Sequence, residues 1–342
     1  MKRLLAVLCL GLLPIGAGAE VSDRGALIAS VTDQHILPRY AALAETGAAL
    51  AETAEAHCGA EDAALRTAWG LAFDAWIGVS HLRFGPSETD NRAFALAFWP
   101  DSRGKTPKAL RAMILKGDES VLTPEGFAIQ SIAVQGYYAM EYLLYDPEIA
   151  TLGSEAFRCD LVRAMAGQIA AVTRAIEADW RASYAETLRR AGAEDNAVYR
   201  TEEEGVQELF KALGTGLQVT ADMRLQRPLG SFERPRPNRA EARLSGRSVR
   251  HVILSAEALD ELAGMLSAGS PSLAAQFHEG FDYVRAASVA LDDPVLATVS
   301  DPAKRLNIET IQAVLDDLRE IAAVELGSHL GVVAGFNALD GD

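Results

Sequence analysis

The 342-residue sequence is poor in aromatic side chains, at 7%, and holds only three cysteines and four tryptophans. Positive charge is also scarce: 32 basic residues face 47 acidic ones, for a formal net charge of −15. A surface of that sign repels nucleic acid and anionic lipid, which excludes both as partners. No stretch shows sustained alternation of β-branched residues, so a sheet is not expected. No internal repeat is visible, and past the N-terminus no run reaches the roughly 20 apolar residues that a membrane span requires. What remains is a chain rich in alanine and leucine with helical periodicity almost throughout, and the expected fold class is all-α, built from packed helical bundles.

The chain opens MKRLLAVLCLGLLPIGAGAE. Lys2 and Arg3 precede an apolar stretch, and Ala17-Gly18-Ala19 precede Glu20, the layout of a cleavable secretory signal over residues 1 to 19. Cys9 is a poor lipidation site, because Leu8 precedes it where a small residue is expected. The expected product is an exported periplasmic or cell-envelope protein whose net charge becomes −17, since Lys2 and Arg3 leave with the leader. Two cysteines survive processing, Cys58 and Cys159. In an oxidising compartment such a pair is expected to be bridged; the alternative is two buried thiols.

Apolar residues advance by three or four along Leu161, Met165, Ile169, Val172, Ile176, Trp180, Tyr184 and Leu188, which marks one face of a long helix over 155 to 190. Ile308, Ile311, Leu315, Leu318 and Ile321 repeat the pattern near the C-terminus. Further helices are expected at 22 to 56, 61 to 82, 107 to 116, 125 to 144, 203 to 225, 240 to 267 and 271 to 290. Thr123-Pro124-Glu125 supplies an N-cap, a proline at the first helical position and an acidic first turn. The exported length of about 323 residues exceeds what one core usually organises. A division is expected in "RRAGAEDNAVYR", giving an N-terminal bundle over 20 to 195 and a C-terminal bundle over 196 to 342.

One segment carries chemistry. In "GYYAMEYLLY", residues 136 to 145, a single glutamate stands in an apolar, aromatic run. On a helix, Tyr138 and Glu141 share a face, and Gly136 permits close approach of a facing backbone. Bundle proteins present metal ligands inward from such pairs. The plainer reading of the spacing alone is a lone glutamate beside core aromatics.

That segment, with "LRTAWGLAFDAWIGVSHLRFGP" at 65 to 86, "FWPD" at 98 to 101, "LSGRSVR" at 244 to 250 and "GFNALDGD" at 335 to 342, resembles the imelysin family, also called peptidase M75. The resemblance runs in order along nearly the whole exported chain. It implies two helical bundles arranged as a pseudo-duplicate, export, and a part in iron uptake or iron binding; members were first described as metallopeptidases. The family hallmark is GxHxxE, whose histidine and glutamate are proposed metal ligands. Gly136 and Glu141 match it, but Tyr138 occupies the histidine position, and HExxH is absent. A neutral phenol is a poor zinc ligand, whereas a phenolate is a hard donor suited to ferric or haem iron. The expected metal pair is therefore Glu141 and Tyr138, with iron as the cofactor and no assigned catalytic residue. The open alternative makes Tyr138 a hydrogen-bonding wall residue.

Eight arginines lie between 224 and 250, against only Glu233 and Glu241. Such a cluster suits haem propionates, a ferric citrate-like chelate or an acidic partner surface, unless it is a solvated connection paired with the acidic remainder. Ser245, Arg247 and Ser248 are its most site-like members, and His81 and Arg83 join Gly136 as candidate ligand-binding residues. The expected partners are iron-uptake components of the cell envelope.

Overall fold

The computed structural model describes residues 23 to 333. The expected leader and the terminal "GFNALDGD" lie outside the described residues. Among these residues no strand forms, and the backbone is helical: α1 (Arg24–Val31), α2 (Leu37–Ala56), α3 (Ala63–Val79), α4 (Arg92–Leu96), α5 (Lys105–Lys116), α6 (Pro124–Ala128), α7 (Gly136–Tyr145), α8 (Glu155–Asp179), α9 (Ala185–Arg189), α10 (Glu202–Gln218), α11 (Arg227–Leu229), α12 (Ser248–Leu266), α13 (Pro271–Ala290), α14 (Pro302–Ile321) and α15 (Gly327–Leu330). Single π-helical turns join several of these into longer rods, at Thr32–Ile36, Trp180–Tyr184, Val219–Gln226 and Ala322–Leu326.

Caps set the helix starts. Asp62 accepts the amides of Ala64 and Leu65 at the head of α3, and Ser154 accepts that of Phe157 at the head of α8. Thr201 caps α10, whose first turn carries Glu202, Glu203 and Glu204, negative charge placed against the positive end of the helix dipole.

In the first half α2 packs on α8 and α3, and α7 packs on α8; in the second half α12 packs on α13, α13 on α14, and α10 on α12 and α14. The halves meet where α1 touches α10 and α12, and where α3 touches α12. One continuous cluster of buried side chains runs through both. Of the predicted α8 stripe, Leu161, Met165, Ile169, Ile176, Trp180 and Leu188 are buried, and Val172 and Tyr184 are half-buried. A disulfide joins Cys58, just past the end of α2, to Cys159 near the start of α8, closing a separation of 101 residues.

Two predicted helices need correction. The helix expected over 125 to 144 breaks after Ala128 and restarts at Gly136. Ser131 caps an intervening 3-10 turn, and the Gln135 amide donates to the Gln130 carbonyl at 2.8 Å, satisfying an acceptor that the break releases. The helix expected to start at 240 starts at Ser248. Residues 240 to 247 form a loop with positive φ at Ala242 (45°) and Gly246 (73°), a conformation no helix tolerates. Both corrections shape the site, because α7 now begins beside it and the loop wraps over it.

Candidate functional site

Gly136 is the residue on which α7 turns in. Its φ is +74°, and a Cβ there would lie 2.2 Å from the Leu96 carbonyl oxygen and 2.4 Å from that of Ala95. Only glycine allows this approach, which seats the start of α7 against the end of α4. Two aromatics then anchor the helix. Tyr137 stacks on Phe73 at 5.0 Å between ring centroids, and Trp69 Nε1 donates to the Tyr137 carbonyl at 3.2 Å. Tyr138 meets Phe73 edge-on and lies flat against Trp99.

Glu141, one turn further on and 4% exposed, faces the 240–247 loop. Its Oε1 accepts from the Ser245 amide at 2.9 Å and from Ser245 Oγ at 2.7 Å. Burial pushes its pKa up to about 7, partly opposed by those two bonds; Glu241 raises it further and Arg243 lowers it. A carboxylic acid with that pKa changes charge in the neutral range.

The Tyr138 hydroxyl donates a hydrogen bond to Glu241 Oε1. Glu241 Oε2 accepts from Arg224 Nε at 2.7 Å, and His251 Nδ1 lies 3.1 Å from the same oxygen, out of line for a hydrogen bond. Tyr138, Arg224, Glu241 and His251 are all buried. Burial works to raise the Glu241 pKa, but Arg224, His251 and Tyr138 outweigh it and hold the carboxyl at about 2. Burial and the adjacent Glu241 charge push Tyr138 well above the ordinary phenol range. Sequence reasoning missed Glu241 and His251; the available signal was that Glu241 is one of two acids in a run of eight arginines.

Tyr138 and Glu141 border a cavity of about 240 Å³ whose lining also includes Trp99, Asp101 and Tyr142, together with Arg227, Arg239 and Arg243. Arg227 stacks its guanidinium over Trp99 at 5.6 Å. Burial and the proximity of Arg239 lower its pKa, and its buried Nε has no partner among the described residues. None of the three arginines forms an ion pair among the described residues. They share the lining with two carboxyl groups, Asp101 and Glu141, without pairing to either.

The structure thus brings together Gly136, Tyr138, Glu141 and Ser245. Ser248 Oγ donates to the Glu241 carbonyl at 2.5 Å, tying the loop to the head of α12. Arg247 is engaged elsewhere, on the Gly70 carbonyl and Asp74, and Arg250 shares that aspartate. Arg83 pairs with Glu88 on the surface. His81 is buried with its Nε2 2.9 Å from His35 Nε2, and His35 Nδ1 contacts Glu261 Oε1 at 2.9 Å. Neither Arg83 nor His81 lines the cavity.

These donors do not fit a bare metal ion held by Tyr138 and Glu141. The phenol keeps its proton in the bond to Glu241, both Glu241 oxygens are occupied, and no group of three or more His, Cys, Asp or Glu among the described residues is placed to hold an ion. The arginine-lined cavity instead fits an anion.

Comparison with known proteins gives the family and the fold. The sequence model of the imelysin family, Peptidase M75, matches residues 36 to 323. The chain belongs to the imelysin family. It is 23% identical over 307 residues to Iron-regulated protein A of Synechococcus elongatus, covering 84% of this chain and 82% of that one. In fold it is similar to an imelysin-like protein from Psychrobacter arcticum, with a TM-score of 0.73 and 19% identity over 93% of this chain and 99% of that one. It is also similar to a putative iron-regulated protein A precursor from Parabacteroides distasonis, with a TM-score of 0.77 and 14% identity over 93% of this chain and 98% of that one. The imelysin fold of these relatives is all-α, as it is here. No helix among the described residues of this imelysin is long and apolar enough to cross a membrane.

Proposed function

We propose that this imelysin is an exported, non-catalytic binding component of iron acquisition, and that its pocket takes iron as an anionic ferric chelate with carboxylate groups. The observation that carries this reading is the trio Arg227, Arg239 and Arg243, unpaired among the described residues and converging on one cavity with Glu141. Guanidinium forks match carboxylates two bonds at a time. The volume of about 240 Å³ lies below the roughly 300–1,000 Å³ of pockets that take drug-sized ligands, which favours a small chelate over haem. The Cys58–Cys159 disulfide supports export, because such bonds persist in oxidising compartments. The relatives named for iron regulation support the link to iron. The reading is non-catalytic because position 138 offers a protonated phenol where a hydrolytic metal needs an imidazole.

Titration of the purified full chain with ferric citrate, followed by calorimetry, tests the proposal. Saturable binding is expected, weakened at least about tenfold in Arg239→Ala/Arg243→Ala. Affinity should fall as pH rises through about 7, where Glu141 gains its charge beside the anion, and this dependence should vanish in Glu141→Gln. Absence of binding, or binding indifferent to the arginines, sinks the reading. A second reading is favoured by the same raised pKa of Glu141, since a carboxyl titrating near neutrality suits a general base. Metal-dependent cleavage of an unfolded protein that disappears in Glu141→Ala would establish that peptidase instead.

A further inference from the structure

A second cavity, of about 10 Å³, lies between the two halves, where His81, just past the end of α3, meets Arg224 and Ser255. We infer that it binds one water molecule, and that Glu261 at the surface dictates, through His35 and His81, which way the hydrogen bonds of that water run.

Size and wall chemistry set the occupant. About 10 Å³ is room for a single water. His81, Arg224 and Ser255 are all buried, and each has hydrogen-bonding capacity left over. Ser255 Oγ has no partner among the described residues. Arg224 engages Glu241 through Nε and Thr220 through Nη1, which leaves Nη2 without a partner among those residues. His81 meets His35 through Nε2, which leaves Nδ1. A buried water typically makes about three hydrogen bonds to otherwise unsatisfied groups, and these three groups supply them. The permanent charge of Arg224 turns a metal cation away.

The proton positions follow from the surface inward. The hydrogen bond from His35 and the neighbouring Arg39 guanidinium hold the Glu261 carboxyl below its ordinary range, so it only accepts. Its Oε1 lies 2.9 Å from His35 Nδ1, which must therefore carry a proton. Burial lowers the pKa of both imidazoles, so each is neutral above pH 7 and holds one proton. His35 Nε2 is then the acceptor and His81 Nε2, 2.9 Å away, the donor. His81 Nδ1 is left with a bare lone pair, to which the water donates while accepting from Arg224. A carboxylate that is 45% exposed thus fixes a hydrogen bond two imidazoles away, inside the interface. Without Glu261 the order inverts. Arg39 Nε stands 3.2 Å from the same His35 Nδ1 and donates to it once the carboxylate is gone. His35 then carries its proton on Nε2, His81 must accept there, and its Nδ1 becomes an N–H. Glu261, His35 and His81 are in this sense positioning residues for Arg224, whose other side holds Glu241.

Two measurements on the full chain test the relay, and neither depends on what the arginine-lined pocket binds. A high-resolution crystal structure should show a water within hydrogen-bond distance of His81 Nδ1, Arg224 Nη2 and Ser255 Oγ. An empty cavity, or an occupant that misses His81 Nδ1, would overturn the inference. Long-range ¹H–¹⁵N correlation spectra at pH 8 report which ring nitrogen carries each proton. Wild type should show His35 protonated on Nδ1 and His81 on Nε2, and Glu261→Ala should exchange the two assignments in both rings. A wild-type His81 protonated on Nδ1, or tautomers unchanged by Glu261→Ala, refutes it equally.

Discussion

Arg224→Met removes the charge that faces Glu241 while keeping most of the side-chain volume. Arg224 is 4% and Glu241 1% exposed, so the carboxylate left behind could not turn to water. Stripping one partner from a buried ion pair costs about 3–5 kcal/mol, because an uncompensated charge remains in the core. An independent route gives a similar size. Glu241 is held at about 2, roughly two units below an ordinary glutamate, and at ~1.36 kcal/mol per unit its surroundings favour the charged form by about 3 kcal/mol. Burial opposes that figure and Arg224 is its largest favourable source. At roughly 2–4 °C per kcal/mol, the melting temperature should fall by about 6–20 °C at pH 7.

The sign with pH is fixed by the direction of the shift. A carboxyl held low contributes stability that is present above its unfolded pKa and is lost as pH falls from about 4.5 toward about 2. The deficit of Arg224→Met relative to wild type should therefore be full at pH 7 and shrink below pH 4. Arg224→Met/Glu241→Gln should be more stable than Arg224→Met alone, since the neutral amide still accepts from Tyr138 and carries no stranded charge. Thermal unfolding by circular dichroism across this pH range is the assay. A loss below about 1 kcal/mol at pH 7, or a loss that does not change with pH, would refute the reasoning.

Glu141 has the opposite sign: its pKa is raised to about 7, so wild-type stability should decline as pH rises from about 4.5 to about 7, and Glu141→Gln should remove that decline and be the more stable form at pH 8 by the same assay. Gly136→Ala should abolish soluble expression or lower the melting temperature sharply, because the new methyl meets two carbonyl oxygens within 2.5 Å at a φ of +74°; a near-normal melting temperature would show that α4 and α7 can separate there. Cys159→Ser opens a loop of 101 residues and should cost about 4–5 kcal/mol in the chain-entropy model, read as a lower urea midpoint.

The helices were legible because their burial repeats every three or four residues, and the buried Leu161-to-Leu188 stripe shows that period in space. Their interruptions were less legible. A break such as 129 to 135 depends on Gln135 reaching back to carbonyls of the previous turn, and a start at Ser248 depends on positive φ at Ala242, for which alanine gives no warning. Within the site, local spacing could pair Tyr138 with Glu141 but not Tyr138 with Glu241, since that bond joins residues 103 apart and exists only once both halves have packed.

The arginine run shows the limit most clearly. Eight arginines in sequence look equivalent, yet the fold sorts them by what neutralises them. Arg224 is buried on Glu241, Arg247 and Arg250 share Asp74, and Arg227, Arg239 and Arg243 border the cavity without a carboxylate partner among the described residues. Sequence supplies the charges and tertiary structure decides which of them stay uncompensated. Arg234 and Arg236 are exposed and outside the cavity lining, so an anion-binding reading of this imelysin rests on the three unpaired arginines that border it. The one buried acid within the run, Glu241, is informative for the same reason: it engages the phenol of Tyr138 and the guanidinium of Arg224, which leaves Arg227, Arg239 and Arg243 to border the cavity with Glu141.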